Sequence, residues 1–363
     1  MLKIIFVFIL LSFSHEQSKV YFMKHIKPEN VKRIFQELKI SLGKKIGLKV
    51  HSGEFNGTYY IRPEMLQELY DYTNGTFIEC NTYYNGNRNT TTRHENYIGQ
   101  YTNWTKNNRK FVIMDDSSKD DFDLKVKNPL ILNETKVGGK LKDFDSCIVL
   151  SRFKGHSSVG YGGALKQLSL GFASKKGKEL IHTAGNNKNW KGMGDHLESS
   201  EDLTNAMVDA ASSIIDYFRN QSGIVYINFM SNVSMKCDCY SDKENKLNLS
   251  DYGILASLDP VALDRACIDI IKNTSANGKY EWLNQLKELD GEHILTIAEK
   301  QNLGTQKYEL ITLSDADTGT LLAVVFSTIG GVSFFVGLFV GIIMRKPKQK
   351  TQEDFHLTQK MNE

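Results

Sequence analysis

The richest run of chemistry-bearing side chains lies between Arg152 and Lys166, where Lys154, His156 and Lys166 share fifteen residues with Gly155, Gly160, Gly162 and Gly163. An apolar strand-like run precedes this stretch and a helix-like run follows it. Glycines let the backbone come close to a ligand, and a helix opening near Gly162 and Gly163 would aim free N–H groups at negative charge, reinforced by the lysines. The pattern points to an anion or metal site. The same residues also suit an ordinary glycine-rich turn whose charged groups are solvated, so other segments must decide.

Three further clusters bear on that choice. His51, Glu54 and Arg62 fall within twelve residues and offer an imidazole, a carboxylate and a guanidinium, a set that serves metal binding or acid–base chemistry. Asn81 and Arg88, with His94 beyond them, add an amide, another cation and another imidazole. Cys237, Asp238 and Cys239 bring two thiols and a carboxylate together and form the candidate metal set. Their Cys-x-Cys spacing is tighter than that of zinc fingers, and in an oxidising compartment the thiols could instead pair with Cys80, Cys147 or Cys267. The candidate catalytic groups are therefore His51, Glu54, Lys154 and His156; Arg62, Asn81, Arg88, Gly162, Gly163 and Lys166 are candidate ligand-binding residues.

The elements that must position these groups alternate. Strand-like runs occur at residues 47–50, 77–80, 111–114, 147–150, 224–229 and 253–256, with helix-like stretches at 62–72, 164–172, 202–218 and 260–271. The last helix starts with Asp259 as a cap and Pro260 at its first position. This order predicts an α/β fold with a mixed or mainly parallel sheet flanked by helices, in which ligands collect at the carboxyl ends of strands. Each cluster follows such a strand end. One composite site is therefore expected, spanned by a ligand roughly 10 Å across.

Topology is read from the two ends of the chain. Residues 1–17 have the form of a secretory signal peptide, with Lys3 before an apolar run from Ile4 to Phe13. Residues 320–344 carry no charge and are long enough to span a bilayer, and Arg345, Lys346, Lys348 and Lys350 follow directly. The expectation is a type I membrane protein of the secretory pathway or plasma membrane, with residues 19–313 lumenal or extracellular and residues 345–363 cytosolic. Nine Asn-x-Ser/Thr sequons all lie between the two apolar segments. Glycans are expected at Asn74, Asn89, Asn103, Asn133, Asn220, Asn232, Asn248 and Asn273. Asn56 lies inside the His51 cluster and is expected to stay bare.

Composition narrows the partners. With 45 Lys and Arg against 42 Asp and Glu and no extended basic face, nucleic acid is disfavoured, leaving the membrane and a small anionic ligand. Five cysteines are too few for a disulfide scaffold, and a domain near three hundred residues buries its core unaided.

Taken together and in order, the clusters resemble the domain of unknown function 362 family, known mainly from bacteria and archaea. The likeness covers about residues 50–311, through His51 to Glu54, Arg62-Pro63, Asn81 to Arg88, Phe153 to Lys166, Tyr226 to Phe229, Cys237 to Cys239 and Asp251 to Asp264. Many relatives carry a ferredoxin-like insertion with Cys-x-x-Cys repeats after the position of His182. Here no cysteine falls between His182 and Cys237, so the resemblance implies the core domain without iron–sulfur clusters. Glu79 stands where relatives usually have Asp. Two functional expectations follow: an ectoenzyme acting on a small anionic substrate, with a divalent metal as candidate cofactor, or a glycosylated binding protein that has lost its chemistry.

Overall fold

The computed structural model describes residues 17–55, 57–116, 121–186, 200–237, 249, 251–315, 328–329 and 332–333. Short apolar runs become strands: β1 Ser18–Met23, β2 Ile46–Lys49, β3 Thr76–Glu79, β4 Phe111–Ile113, β5 Phe122–Lys125, β6 Glu134–Val137, β7 Ser146–Arg152, β8 Lys154–His156, β9 Gly160–Gly162, β10 Ile224–Met230, β11 Gly253–Ser257 and β12 Tyr308–Leu313. The helices are α1 Pro28–Glu37, α2 Gln67–Thr73, α3 Thr91–Asn96, α4 Ala164–Ser169, α5 Lys175–His182, α6 Ser200–Arg219, α7 Pro260–Asn273, α8 Lys279–Glu288 and α9 His293–Lys300.

Eight strands form one sheet in the order β12-β1-β11-β10-β7-β2-β3-β4. The five strands from β10 to β4 are parallel, β11 is antiparallel to both its neighbours, and β12 lies parallel to β1. The α/β class with a mostly parallel sheet is therefore as expected. The sheet is covered on both faces, which explains why β7 and β10 are buried along their whole lengths. On one face Val149, Tyr226 and Leu255 pack against Leu165, Ile214, Ile268 and Leu295 of α4, α6, α7 and α9. On the other, Leu48, Ile148 and Ile227 meet Val31 and Ile34 of α1 and Leu69 of α2. The α7 cap is as expected: the Asp259 carboxylate accepts from the N–H groups of Val261 and Ala262 at 2.9 Å.

Strand order fixes where a ligand would sit. From β2 the chain steps outward to β3 and β4, then returns to β7 on the opposite side of β2 and moves on to β10. The connections leaving β2 and β7 thus diverge, and a crevice opens outside their carboxyl ends.

Several expectations fall on other residues. The signal segment up to residue 16, the sequons at Asn56 and Asn248, and Asp238 and Cys239 lie outside the described residues. Of the expected membrane helix at 320–344, only Thr328–Ile329 and Val332–Ser333 are described, as a short antiparallel pair. Among the described residues no helix is long and apolar enough to cross a membrane.

Candidate functional site

The crevice between β2 and β7 holds a cavity of about 150 Å³, room for several waters or one small ligand. His51, Arg88, Lys154, His156, Gly162, Gly163, Lys166 and Cys237 all line it, which brings residues of the four sequence-distant clusters to one space. Lys49, Arg152, Lys178 and His182 line it as well. Six Lys and Arg side chains and three imidazoles thus face one small space, against the single carboxylate of Glu79 among the described lining residues. At an effective dielectric near 20, an anion about 5 Å from one such cation gains about 3 kcal/mol of attraction, and a cation loses as much. The cavity is built for negative charge.

The glycine-rich motif folds as a hairpin, with Lys154 paired to Gly162, Gly155 to Tyr161 and His156 to Gly160. Gly160 has φ +76°, a conformation that favours glycine. A Cβ on Gly155 would lie 2.1 Å from the Met235 carbonyl oxygen, so glycine here lets the 231–237 segment pack against the hairpin. A Cβ on Gly162 would sit 3.1 Å from Cδ of Lys166 and 3.6 Å from Cε of Lys154, so the missing side chain leaves room for both lysine stems. The His156 Nδ1 accepts from the Ser158 N–H at 3.2 Å, which puts the proton of a neutral ring on Nε2.

One part of the motif works differently from expectation. Two N–H groups at the α4 N-terminus are turned to the protein rather than to a ligand: Ala164 and Leu165 donate to the Asp264 carboxylate at 2.8 and 3.0 Å. Asn228 and the Tyr161 hydroxyl also donate to Asp264, and burial still pushes this carboxyl up to about 6. Gly163 is required for that contact, since a Cβ there would lie 2.3 Å from Asp264 Oδ1. The positive character of the loop is carried by its side-chain cations, Lys154 and Lys166.

A buried charge network forms the wall contributed by β2 and β3. Glu79 accepts from Arg88 Nη1 at 2.7 Å, from the Ser52 N–H at 3.1 Å and from His94 Nε2 at 3.1 Å. Burial opposes its ionisation, but Arg88 and His94 outweigh that cost and hold the carboxyl well below its ordinary range. His94 is closed off behind this wall, with Nδ1 3.3 Å from Asn81 Oδ1. Arg88 Nη2 donates to Glu54 and, at 3.1 Å, to the Tyr84 hydroxyl. The His51 Nδ1 accepts from the Gly53 N–H at 3.1 Å, so its Nε2 carries the proton in a neutral ring; the 3.3 Å approach of Arg88 to that nitrogen then joins two donors.

Three candidates have other roles. Arg62 does not line the cavity; it is exposed and stacked on the Tyr60 ring at 4.1 Å. Asn81 is buried behind the wall, where its amide donates to Thr91 and to the Asp115 carbonyl. Glu54 is absent from the lining and orients Arg88 instead. Cys237 reaches the cavity but is disulfide-bonded, so it offers no thiolate to a metal. Cys80, Cys147 and Cys267 are free and buried, which excludes them as its partners. Among the described residues no three His, Cys, Asp or Glu side chains are grouped to hold a metal ion.

The other charged and imidazole groups of the lining sit on regular elements. Lys49 is the last residue of β2, fully buried, with its amine donating to the Val50 carbonyl at 2.6 Å and lying 5.7 Å from the Phe172 ring centre. Burial pulls its ammonium down to about 8. His182, one turn after Lys178 on α5, donates from Nδ1 to the Lys178 carbonyl at 2.7 Å, and burial lowers its pKa to about 4. That ring is neutral at physiological pH, with its lone pair on Nε2. Arg152 donates to the carbonyls of Ser231 and Asn232 and to the Ser234 hydroxyl, while its guanidinium lies 5.1 Å from the Tyr59 ring centre. It thereby ties two cavity-edge segments to the end of β7. A charged residue ending an apolar strand was the available signal for Lys49, and the i, i+4 spacing of Lys178 and His182 the signal for α5.

Fold and crevice define an α/β protein with a cationic site at the switch point of a mostly parallel sheet. The chain belongs to the family described as Domain of unknown function (DUF362), whose model matches residues 46–269. No curated protein matches it. Among solved structures it is similar to a Thermotoga maritima protein, at 14% identity and a TM-score of 0.37 over 75% of this chain and 58% of that one. A lactate racemase apoprotein from Thermoanaerobacterium thermosaccharolyticum shows 14% identity and a TM-score of 0.33, over 59% of this chain and 50% of that one. The chain thus spans less than two thirds of either protein.

Proposed function

We propose that this protein binds a small anionic substrate in the β2–β7 crevice and acts on it by acid–base chemistry, in an ectodomain anchored by a single membrane span. The observation that carries the reading is the excess of cations in the cavity, six Lys and Arg facing one carboxylate among the described lining residues. Arg152, Lys154 and Lys166 would hold the negative group, and the neutral His182 and the amine of Lys49 would move protons beside it. A divalent cation alone would be repelled by the same lysines and arginines, so a metal fits this cavity only in company with the anion.

The membrane assignment rests on the sequence: an apolar leader, an uncharged run at 320–344 and a basic flank after it. Glycosylation follows from the same topology, and Asn74, Asn103, Asn133, Asn220, Asn232 and Asn273 are exposed. Asn89 is buried, with its amide donating to Asn85 at 3.1 Å, and is removed from the glycan set. Protease added to intact vesicles should trim only the tail after Arg345; a protected tail with a digested ectodomain would reverse the orientation.

The binding claim is tested by thermal unfolding with inorganic phosphate, sulfate or small carboxylates. An anion at a hundred times its Kd stabilises the fold by about 2.7 kcal/mol. Saturable stabilisation that weakens in Lys166→Ala supports the site, and equal stabilisation of wild type and variant argues against it. Turnover, absent from a purely recognising protein, separates the enzyme from the binding-protein alternative.

A further inference from the structure

We propose that Lys49 is a nucleophilic amine that condenses with the carbonyl group of the bound anion, so that the substrate class is a small anionic aldehyde or ketone. The inference rests on the anion-binding reading and narrows it.

Lys49 differs from the other cavity lysines in its surroundings. It ends β2 in the wall of the crevice, fully buried, with its amine 5.7 Å from the centre of the Phe172 ring. Among the described residues no carboxylate forms an ion pair with it, and its one hydrogen bond goes to the Val50 carbonyl. Desolvation, the largest influence, and the nearby Lys178 both favour the neutral amine, while Glu79 opposes them from a position where Arg88 and His94 already engage it. A lysine desolvated by burial beside a second cation is an environment that activates an amine as a nucleophile. On the order of a hundredfold more neutral amine is present at pH 7 than on an ordinary lysine.

The step balances within the cavity. The amine nitrogen adds to the carbonyl carbon, both its hydrogens leave with the carbonyl oxygen as water, and the resulting imine takes up one proton to become an iminium. Arg152, Lys154 and Lys166 would meanwhile hold the anionic group, leaving the carbonyl end for Lys49. The positive iminium is then a sink for electrons from an adjacent C–H or C–C bond. His182, with its lone pair on Nε2, can accept the proton from the former.

The test uses the whole protein with glyoxylate, a carboxylate aldehyde, and separately dihydroxyacetone phosphate, each with cyanoborohydride, followed by peptide mapping. The expected result is a secondary amine on Lys49, which with glyoxylate adds the mass of the acid less one oxygen atom. It should exceed labelling of Lys154, Lys166 or Lys178 on the order of tenfold, because lower basicity takes back part of the gain in free amine. Success with one probe identifies the anionic group as carboxylate or phosphate. No Lys49 adduct with either probe, or labelling spread evenly over the cavity lysines, overturns the inference. Thermal stabilisation by phosphate or by a small carboxylate in parallel samples separates the outcomes: stabilisation by either without the adduct leaves the anion site standing, whereas stabilisation by neither removes the site itself. Lys49→Arg, which keeps the charge but cannot form the imine, should retain the anion-induced shift and lose the adduct; mapping of the wild type decides the matter should this variant not fold.

Discussion

Replacing Arg88 by Met tests the buried wall of the site. Its guanidinium is 2% exposed and spans two carboxylates, Glu79 at 2.7 Å and Glu54, whose side chains are 5% and 19% exposed. Methionine fills much of the volume but leaves Glu79 with two donors, the Ser52 N–H and His94, and Glu54 with the Tyr84 hydroxyl. Breaking a buried pair by removing one partner costs about 3–5 kcal/mol, and the surviving donors place this case near 3. For a domain of this size the melting temperature should fall by roughly 6–12 °C. Urea titration measures the free energy, and Glu79→Gln in the same background completes a double-mutant cycle. Because the glutamine needs no cationic partner, the double variant should be about 2 kcal/mol more stable than the sum of the single losses implies. A loss below about 0.5 kcal/mol in Arg88→Met, or strict additivity, would refute the claim that these charges form one coupled unit.

Three further outcomes follow. Asp264, with its folded pKa raised to about 6 above an unfolded value near 3.9, binds more protons folded than unfolded between those values. Its contribution to stability is therefore full below about pH 4 and declines by about 3 kcal/mol as pH rises to about 6; chemical denaturation across that window should show this component, and Asp264→Asn should lack it. Gly163→Ala drives a methyl group into the Asp264 carboxylate and should destabilise the fold by about 1–3 kcal/mol. Gly162→Ala meets only lysine stems, so it should leave stability within about 0.5 kcal/mol while weakening anion binding; equal losses from both would contradict the separate roles. Glycopeptide mapping should find Asn89 bare, and an occupied Asn89 would contradict its burial.

Much of the sheet was legible because its central strands are buried on both faces and read as continuous apolar runs, as in β7 and β10. The edge strand β12 escaped because it is only partly buried and its apolar and polar residues carry no clean period. Order alone could not reveal that β11 runs antiparallel, since adjacent apolar runs do not specify direction. At the site, the motifs located the residues that follow strand ends but not the roles that packing assigns. Glu54 and Asn81 are supports behind the cavity, and Arg62 is near His51 in sequence but does not line the cavity. The Gly162–Gly163 step reads as the start of a helix, but the Ala164 and Leu165 donors there go to Asp264, a residue about a hundred positions away. Lys49 carries only a weak signal in the sequence, because a single lysine closing an apolar strand looks like an ordinary strand end.

The anion site itself is tested most directly by locating a heavy oxyanion. A crystal of the protein soaked in tungstate should show anomalous density in the β2–β7 crevice, within hydrogen-bonding reach of Lys154 and Lys166. Tungstate bound only at surface lysines, with the crevice empty, would contradict the anion site.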